Sequence, residues 1–145
     1  FEDIAVGETH DVGSYTVTAD EITSFAETWD PLWIHVDEDA AAESMHGGVI
    51  ASGFHTLCIA NKLVVEGFRA ATSGMAGLTI EELRWHAPVT AGDTLSVSLT
   101  IADKRESESR PHVGVVVQET TAENGDGEVV LSYRDVGLYG RRSAT

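Results

Sequence analysis

From Ser52 to about Glu66, apolar side chains recur at nearly every angle around a helix: Phe54, Leu57, Cys58, Ile59, Ala60, Leu63, Val64 and Val65. A helix that is apolar nearly all round has no face to give to water and must be buried. The rest of the chain therefore has to supply its cover. Downstream the period shortens to two. Leu78 and Ile80 with Leu83 and Trp85 open this stretch, Leu95, Val97, Leu99 and Ile101 alternate strictly, and Val113, Val115, Val117 and then Val129, Leu131, Tyr133 follow. These segments read as four strands. Pro88 with Gly92-Asp93, the polar run 105–111 and Asn124-Gly-Asp-Gly127 supply the reversals of an antiparallel meander. A first strand over Thr9 to Thr18, carrying Val12, Tyr15 and Val17, completes an α+β arrangement: an antiparallel sheet of about five strands wrapped around one long central helix. Such a sheet has open edges, so pairing with a second copy into a homodimer or higher homo-oligomer is expected.

Between the first strand and the central helix lies a shorter helical pattern. Thr18-Ala-Asp-Glu21 has the form of a capping box, and Ile22, Phe25, Ala26 and Trp29 then mark one amphipathic face. Asp30-Pro31 ends it, because the residue before proline is pushed out of helical geometry. Asp37 reads as the N-cap of a short helix over 38–44, broken by the turn Met45-His46-Gly47-Gly48. The 145 residues suit a single domain, 1–145. No apolar run reaches the roughly 18 to 20 residues that a membrane span needs, and the polar start FEDIAVGETHDVG does not read as a secretory leader. Cys58 is the one cysteine and is expected to be a small core residue in a cytoplasmic protein. The unpatterned tail Arg141–Thr145 is expected to fray.

A formal charge of −15, from 24 acidic residues against 9 basic ones, repels nucleic acid and anionic membrane. With only Lys62 and Lys104 as lysines, it also points to a halophilic protein, working in salt concentrated enough to screen its own repulsion.

The chemically unusual residues gather from Trp29 to Leu63. Asp30 and His35 form an acid and imidazole pair, Gly47-Gly48 a flexible turn, and Ala51-Ser52-Gly53 the small-residue start of the central helix. A helix N-terminus offers backbone N–H groups without intrahelical partners, so the Gly53 amide could hold a carbonyl oxygen that gains negative charge. The pattern is that of a general base facing an oxyanion hole. His46 reads as a turn residue, and His55 as a core histidine or a partner of the reacting pair. A metal bound by Asp30, His35, His46 and His55 lacks an i, i+4 ligand pair on one helix, so no metal is expected. Trp29, Trp33, Phe54 and Phe68 read as packing residues, with Trp33 and Phe54 also placed near a ligand.

With FEDIAVGE, FAETWDPLWIHVD, HGGVIASGFHT, LRWHAPVTAGDTL and SRPHVGVVV on the page, the chain resembles the MaoC-like dehydratases, a hot-dog branch that includes the (R)-specific enoyl-CoA hydratases. The resemblance implies a hot-dog fold, no cofactor, and reversible hydration of a 2-enoyl-CoA to a (3R)-3-hydroxyacyl-CoA. By position it makes Asp30 and His35 the catalytic pair and Gly53 the oxyanion donor, with Trp33, Gly48, Ser52, Phe54 and Asn61 against the acyl-CoA substrate. Leu32-Trp33 stands where hydratases commonly show Asn-Pro, and Asn61 where some carry a helix serine. Arg69, Arg105 and Arg110 are candidates for the CoA phosphates. Two alternatives remain: a hot-dog acyl-CoA thioesterase, which the His46-Gly47-Gly48 turn resembles, and a non-catalytic acyl-CoA-binding or partner subunit.

Overall fold

A computed structural model describes residues 1–142. Its elements run β1 (Thr9–Thr16), α1 (Ala19–Trp29), α2 (Trp33–Val36), α3 (Glu38–Ala42), α4 (Gly53–Val64) with a π-helical turn (Val65–Arg69), β2 (Gly74–Trp85), β3 (Thr94–Glu106), β4 (Val113–Glu123) and β5 (Val129–Gly140). The five strands form one antiparallel sheet in the order β1-β3-β4-β5-β2. None of the described helices is long and apolar enough to cross a membrane.

The sheet takes its order from the hairpin turns. Strands β3, β4 and β5 pair in succession, while β2, which directly follows the helix, pairs with β5 and ends as an outer strand. On the inner face Leu95, Val97, Leu99 and Ile101 of β3 meet Ile59, Ala60, Leu63 and Val64 of α4 in one buried cluster with Phe68 and Tyr139. In β4 the residues that face this cluster are Val116 and Ala122, with Gln118 and Thr120 buried between them. The valines Val113, Val115 and Val117 that marked this strand in the sequence are therefore not the set that faces the cluster. Val113 and Val115 are also buried, but outside that cluster, and two polar inward residues hid the true alternation.

Helix α1 begins as its capping box dictates: Thr18 accepts from the Glu21 amide, and the Glu21 carboxylate accepts from Thr18 N at 2.6 Å. The one-turn α2 has no sequence signal and was not expected. Helix α3 stops at Ala42, short of Ser44, and α4 gives way after Val64 to a wider turn that carries Phe68 into the core.

The central helix is not covered on all sides. It lies toward β1 and β3, leaving Phe54, Cys58 and Val65 exposed opposite β2. Cys58 is thus a surface thiol on this open side and not a core residue. Strand β2 is exposed over nearly its whole length and shows Met75, Leu78, Ile80 and Trp85 to solvent. Trp29, at 72% exposure, is not core either.

The tail is also better held than its composition suggests. Arg141 donates to Pro111 O at 3.0 Å and to Glu106 at 2.7 Å, and Arg142 to Asp3 at 2.7 Å. The remainder of the segment expected to fray, 143–145, lies outside the described residues.

Candidate active site

Asp30 is the C-cap of α1, with its amide still donating to Ala26 O at 2.8 Å. Pro31 then turns the chain, and α2 sets His35 beside it. The two side chains meet with His35 Nε2 3.4 Å from Asp30 Oδ2. His35 is buried, and its Nδ1 lies 2.7 Å from the Ile50 carbonyl oxygen. A carbonyl can only accept, so Nδ1 carries the proton and donates it. In the neutral ring Nε2 then presents a lone pair toward a carboxylate. Two acceptors at 3.4 Å do not bond to each other, and what joins them is a proton or a water that donates to both.

Ser52 fixes the carboxylate from behind. Its Oγ donates to Asp30 Oδ2 at 2.7 Å and accepts from the Phe54 amide at 3.2 Å, so one hydroxyl is both the N-cap of α4 and the anchor of Asp30. Ser52 is 0% exposed, which leaves it no surface for a ligand. Its placement is that of a residue behind the pair and not of one against substrate.

A cavity of about 420 Å³ opens in front of Asp30 and His35, with His46, Gly53, Phe54 and Trp85 among its walls. Gly53 is the first residue of α4, where an N–H has no intrahelical acceptor. The indole of Trp85 donates to Gly53 O at 2.8 Å and lies flat against its Cα, so that a Cβ there would sit 2.5 Å from ring atoms. Glycine at 53 is thus also a packing requirement. Phe54 meets Trp85 edge to face, with centroids 5.8 Å apart, and both rings are about half exposed at the mouth. Trp85 is the member of this site that sequence reading passed over as a strand residue. Its chain signal, a tryptophan directly before His86-Ala-Pro88, was visible as the end of a strand but not as a wall.

Of the proposed substrate residues, only Phe54 lines this cavity. Trp33 and Gly48 are not among its walls, and Asn61 lines a separate groove of about 460 Å³ between α4, β2 and β5, together with Leu57, Cys58, Arg69 and Asp135. In that groove Arg69 is paired with the buried Asp135. Burial pushes the Asp135 carboxyl above its ordinary range, while the Arg69 guanidinium opposes that rise. The same burial drives the Tyr133 phenol up to about 12.

His55 is buried one turn into α4, stacked on Phe25 with centroids 4.7 Å apart and with Nε2 3.8 Å from Glu21. Burial holds its imidazole below the usual value, against the pull of Glu21. It supports the contact between α1 and α4 and does not line the cavity. Among the described residues no three His, Cys, Asp or Glu side chains converge as a metal would need.

Residues 3–124 match the family model described as a MaoC like domain. The crystal structure of a MaoC-like dehydratase from Rhodospirillum rubrum is 38% identical, covers 99% of this chain and 97% of its own, and superposes with a TM-score of 0.90. A mesaconyl-CoA hydratase of Haloarcula marismortui is 41% identical over 63 residues, which are 43% of this chain but 18% of that enzyme. A Mycobacterium tuberculosis protein described as having a double hot-dog fold is 17% identical with a TM-score of 0.82, and matches 99% of this chain to 44% of its own. The sheet wrapped on α4 is a hot-dog fold.

Proposed function

The chain belongs to the MaoC-like domain family, which includes hydratases and dehydratases, and from that premise we propose that it adds water reversibly across the C2–C3 double bond of a 2-enoyl-CoA, giving a (3R)-3-hydroxyacyl-CoA. The observation that carries this reading is the 3.4 Å approach of His35 Nε2 to Asp30 Oδ2 on the wall of the cavity.

A water between these two acceptors donates one O–H to each and turns a lone pair toward C3 of a bound enoyl group. As the O–C3 bond forms, the π pair moves through C2 to the thioester oxygen, and the water proton passes to Asp30. The Gly53 N–H at the start of α4 stabilises the enolate oxygen. The pair then returns a proton to C2 through His35 Nε2, which restores both side chains. The Nδ1–H donated to Ile50 O keeps the imidazole in the one tautomer that leaves Nε2 free to take and give that proton. A positioned acid–base pair contributes ~10²–10⁴-fold and one oxyanion donor ~10²–10³-fold. Phe54 and Trp85 form the apolar lip for the acyl group.

The open half of the inner sheet face supports a second copy as the cover. The exposed side of α4 with the turn after it and the open β2 edge leave Phe54, Cys58, Val65, Leu78 and Ile80 uncovered, an apolar edge of the kind that a second copy covers. The reaction is placed in the cytoplasm, at a salt level suited to a chain of charge −15. The thioesterase alternative is disfavoured because α4 carries no Asp or Glu from Gly53 to Val64. The test is loss of enoyl absorbance from crotonyl-CoA in molar salt, with free thiol followed in parallel. Saturable hydration without thiol, reduced ~10²–10⁴-fold in Asp30→Asn, is the expected result. Thiol release, or hydration unaffected by Asp30→Asn, would refute it.

A further inference from the structure

His55 is a polar ring set into the uncharged start of the central helix. From Ala51 to Ile59 the chain carries no Asp, Glu, Lys or Arg, and the His55 ring is buried with its Nδ1 lacking any hydrogen-bond partner. Phe25 of α1 lies flat on it, 4.7 Å between centroids and 10° between planes. A buried imidazole with an unpartnered nitrogen costs stability that a phenyl ring in its place would not. The other nitrogen shows what the ring does there.

His55 Nε2 stands 3.8 Å from Glu21 Oε2, too far for a hydrogen bond and close enough for an N–H dipole to feel the charge. Glu21 is not free to come nearer. Its Oε1 accepts from Thr18 N at 2.6 Å and its Oε2 from the Tyr15 hydroxyl at 2.6 Å. One carboxylate thus closes the capping box of α1, takes the hydroxyl of β1 and faces α4. Beside it the neutral ring keeps its proton on Nε2. Two contacts therefore hold α1 on the start of α4: His55 with Glu21 and Phe25, and Ser52 with Asp30 at 2.7 Å. Glu21 is in the first turn of α1 and Asp30 is its C-cap, roughly 13 Å apart at ~1.5 Å per residue. A helix held at both ends can neither slide nor pivot.

Glu21 is the one charge that acts on the ring among the described residues. Of the elements packed on it, α1 brings Glu21 and the apolar Phe25, and β1 brings Tyr15 by way of Glu21. A proton added to His55 would turn Nδ1 into a second donor with no acceptor. Burial outweighs the attraction of Glu21 and holds the ring below its ordinary value, so the charged ring is better placed in water than against Phe25.

We propose that neutral His55 is a positioning residue for Asp30, fixing α1 on α4 through Glu21 and releasing it when the ring takes up a proton. The proposal rests on the reading above that makes Asp30 the reacting carboxylate. A slip of ~1 Å at Glu21 is carried along the rigid helix to Asp30, and misplacement of that size costs up to ~10²-fold in rate. For a histidine held low by the fold, the stability is fully present above the ordinary histidine range and is lost as pH falls through the folded-state value. Acidification therefore loosens α1 and draws Asp30 away from Ser52.

Two substitutions in the full chain separate this role from plain packing. His55→Phe keeps a ring on Phe25 and removes the N–H toward Glu21, whereas His55→Gln keeps an N–H at the place of Nε2 and removes both stacking and titration. In hydration of crotonyl-CoA at neutral pH, His55→Phe should lower kcat ~10–100-fold with little change in KM, and His55→Gln should recover most of that loss. His55→Phe as active as His55→Gln, or more so, would make His55 a packing residue and overturn the proposal. Wild-type kcat should also fall relative to His55→Gln as pH drops through the His55 titration, which NMR of the ring protons follows directly. Parallel pH profiles would overturn the release on protonation. Glu21→Gln removes the one charge on the ring and should lower the His55 titration midpoint further, and an unmoved midpoint would overturn the pairing. The His35 ring resonances, beside Asp30, need no turnover to be read: they should shift in His55→Phe and stay in place in His55→Gln. Those shifts in a chain that does not hydrate crotonyl-CoA would sink the hydratase reading and keep the positioning role. Turnover with the His35 resonances unmoved in His55→Phe would do the reverse.

Discussion

Replacing Ser52 by Ala separates a residue that touches substrate from one that holds the base. The wild-type hydroxyl makes two bonds, accepting from the Phe54 amide at 3.2 Å and donating to Asp30 Oδ2 at 2.7 Å. Loss of an N-cap costs about 1 kcal/mol. A hydrogen bond to a charged group contributes ~1.5–3 kcal/mol, and the lower end applies because the Asp30 side chain is 27% exposed and water can replace the donor. The sum is ~2.5 kcal/mol. With a urea m-value of ~2 kcal/mol/M, the unfolding midpoint should fall by ~1–1.5 M. In catalysis the freed carboxylate loses its fixed orientation toward the water it deprotonates, worth ~10–100-fold in kcat if most of the Asp30 bond is lost in the transition state. Because Ser52 is 0% exposed, KM for crotonyl-CoA should stay within about twofold. Urea titration by tryptophan fluorescence and hydration kinetics on the same preparation give both numbers. A raised KM with intact kcat would place Ser52 against substrate and refute the reasoning, as would an unchanged unfolding midpoint.

Gly53→Ala drives a methyl into the Trp85 indole and should cost ~1–3 kcal/mol in urea unfolding, whereas Gly53→Ala combined with Trp85→Val should recover part of that loss. Arg69→Ala leaves the Asp135 carboxylate buried and unpaired and should cost ~3–5 kcal/mol at neutral pH. The Asp135 carboxyl is already held above its ordinary value by burial, and losing Arg69 raises it further. A raised folded-state value means that stability is fully present below the unfolded-state value and is lost as pH rises through the folded one. The deficit of Arg69→Ala against wild type should therefore narrow on acidification, and a deficit that widens would contradict this. Cys58 should react quickly with a thiol reagent at high dilution and slowly at concentrations where the chain pairs through α4 and β2. Labelling that does not depend on concentration would argue against that pairing.

Elements whose period and punctuation agree were legible in the sequence. The capping box at Thr18 placed α1, strict alternation placed β3, and the sole long apolar helix placed α4 at the centre. Beyond those, tertiary packing decided. The inward phase of β4 was hidden because Gln118 and Thr120 face the core, with Gln118 bonded to the Tyr139 hydroxyl. The apolar runs at Leu78 and Leu83 read as one strand in the sequence and are one, and their broken alternation comes from irregularities, including Glu82 at φ 53°, that shift the register between Glu81 and Arg84. Cys58 looked like core because periodicity records apolarity and not which side of a helix a sheet leaves uncovered. At the site, Asp30, His35 and Gly53 were visible as residue types at a helix end. The inward role of Ser52 and the presence of Trp85 depend on where β2 returns to α4, which no local pattern encodes.

The place of β2 in the sheet bears on how the chain reaches this state. Strand β2 leaves the ribosome directly after α4, yet its one partner among the described strands is β5, whose pairing residues lie 46 to 65 positions later, Gly74 with Tyr139 at one end and Trp85 with Leu131 at the other. Until β5 forms, both edges of β2 and its Met75, Leu78 and Ile80 side chains stand open beside an unfinished helix face. Loop closure of this span precedes any gain from the contacts that reward it, so completion of the sheet should set the pace of folding. The same interval leaves the nascent chain most open to pairing β2 with the β2 of a neighbouring chain. Early self-association through that strand would bury the same surface that the mature chain leaves uncovered.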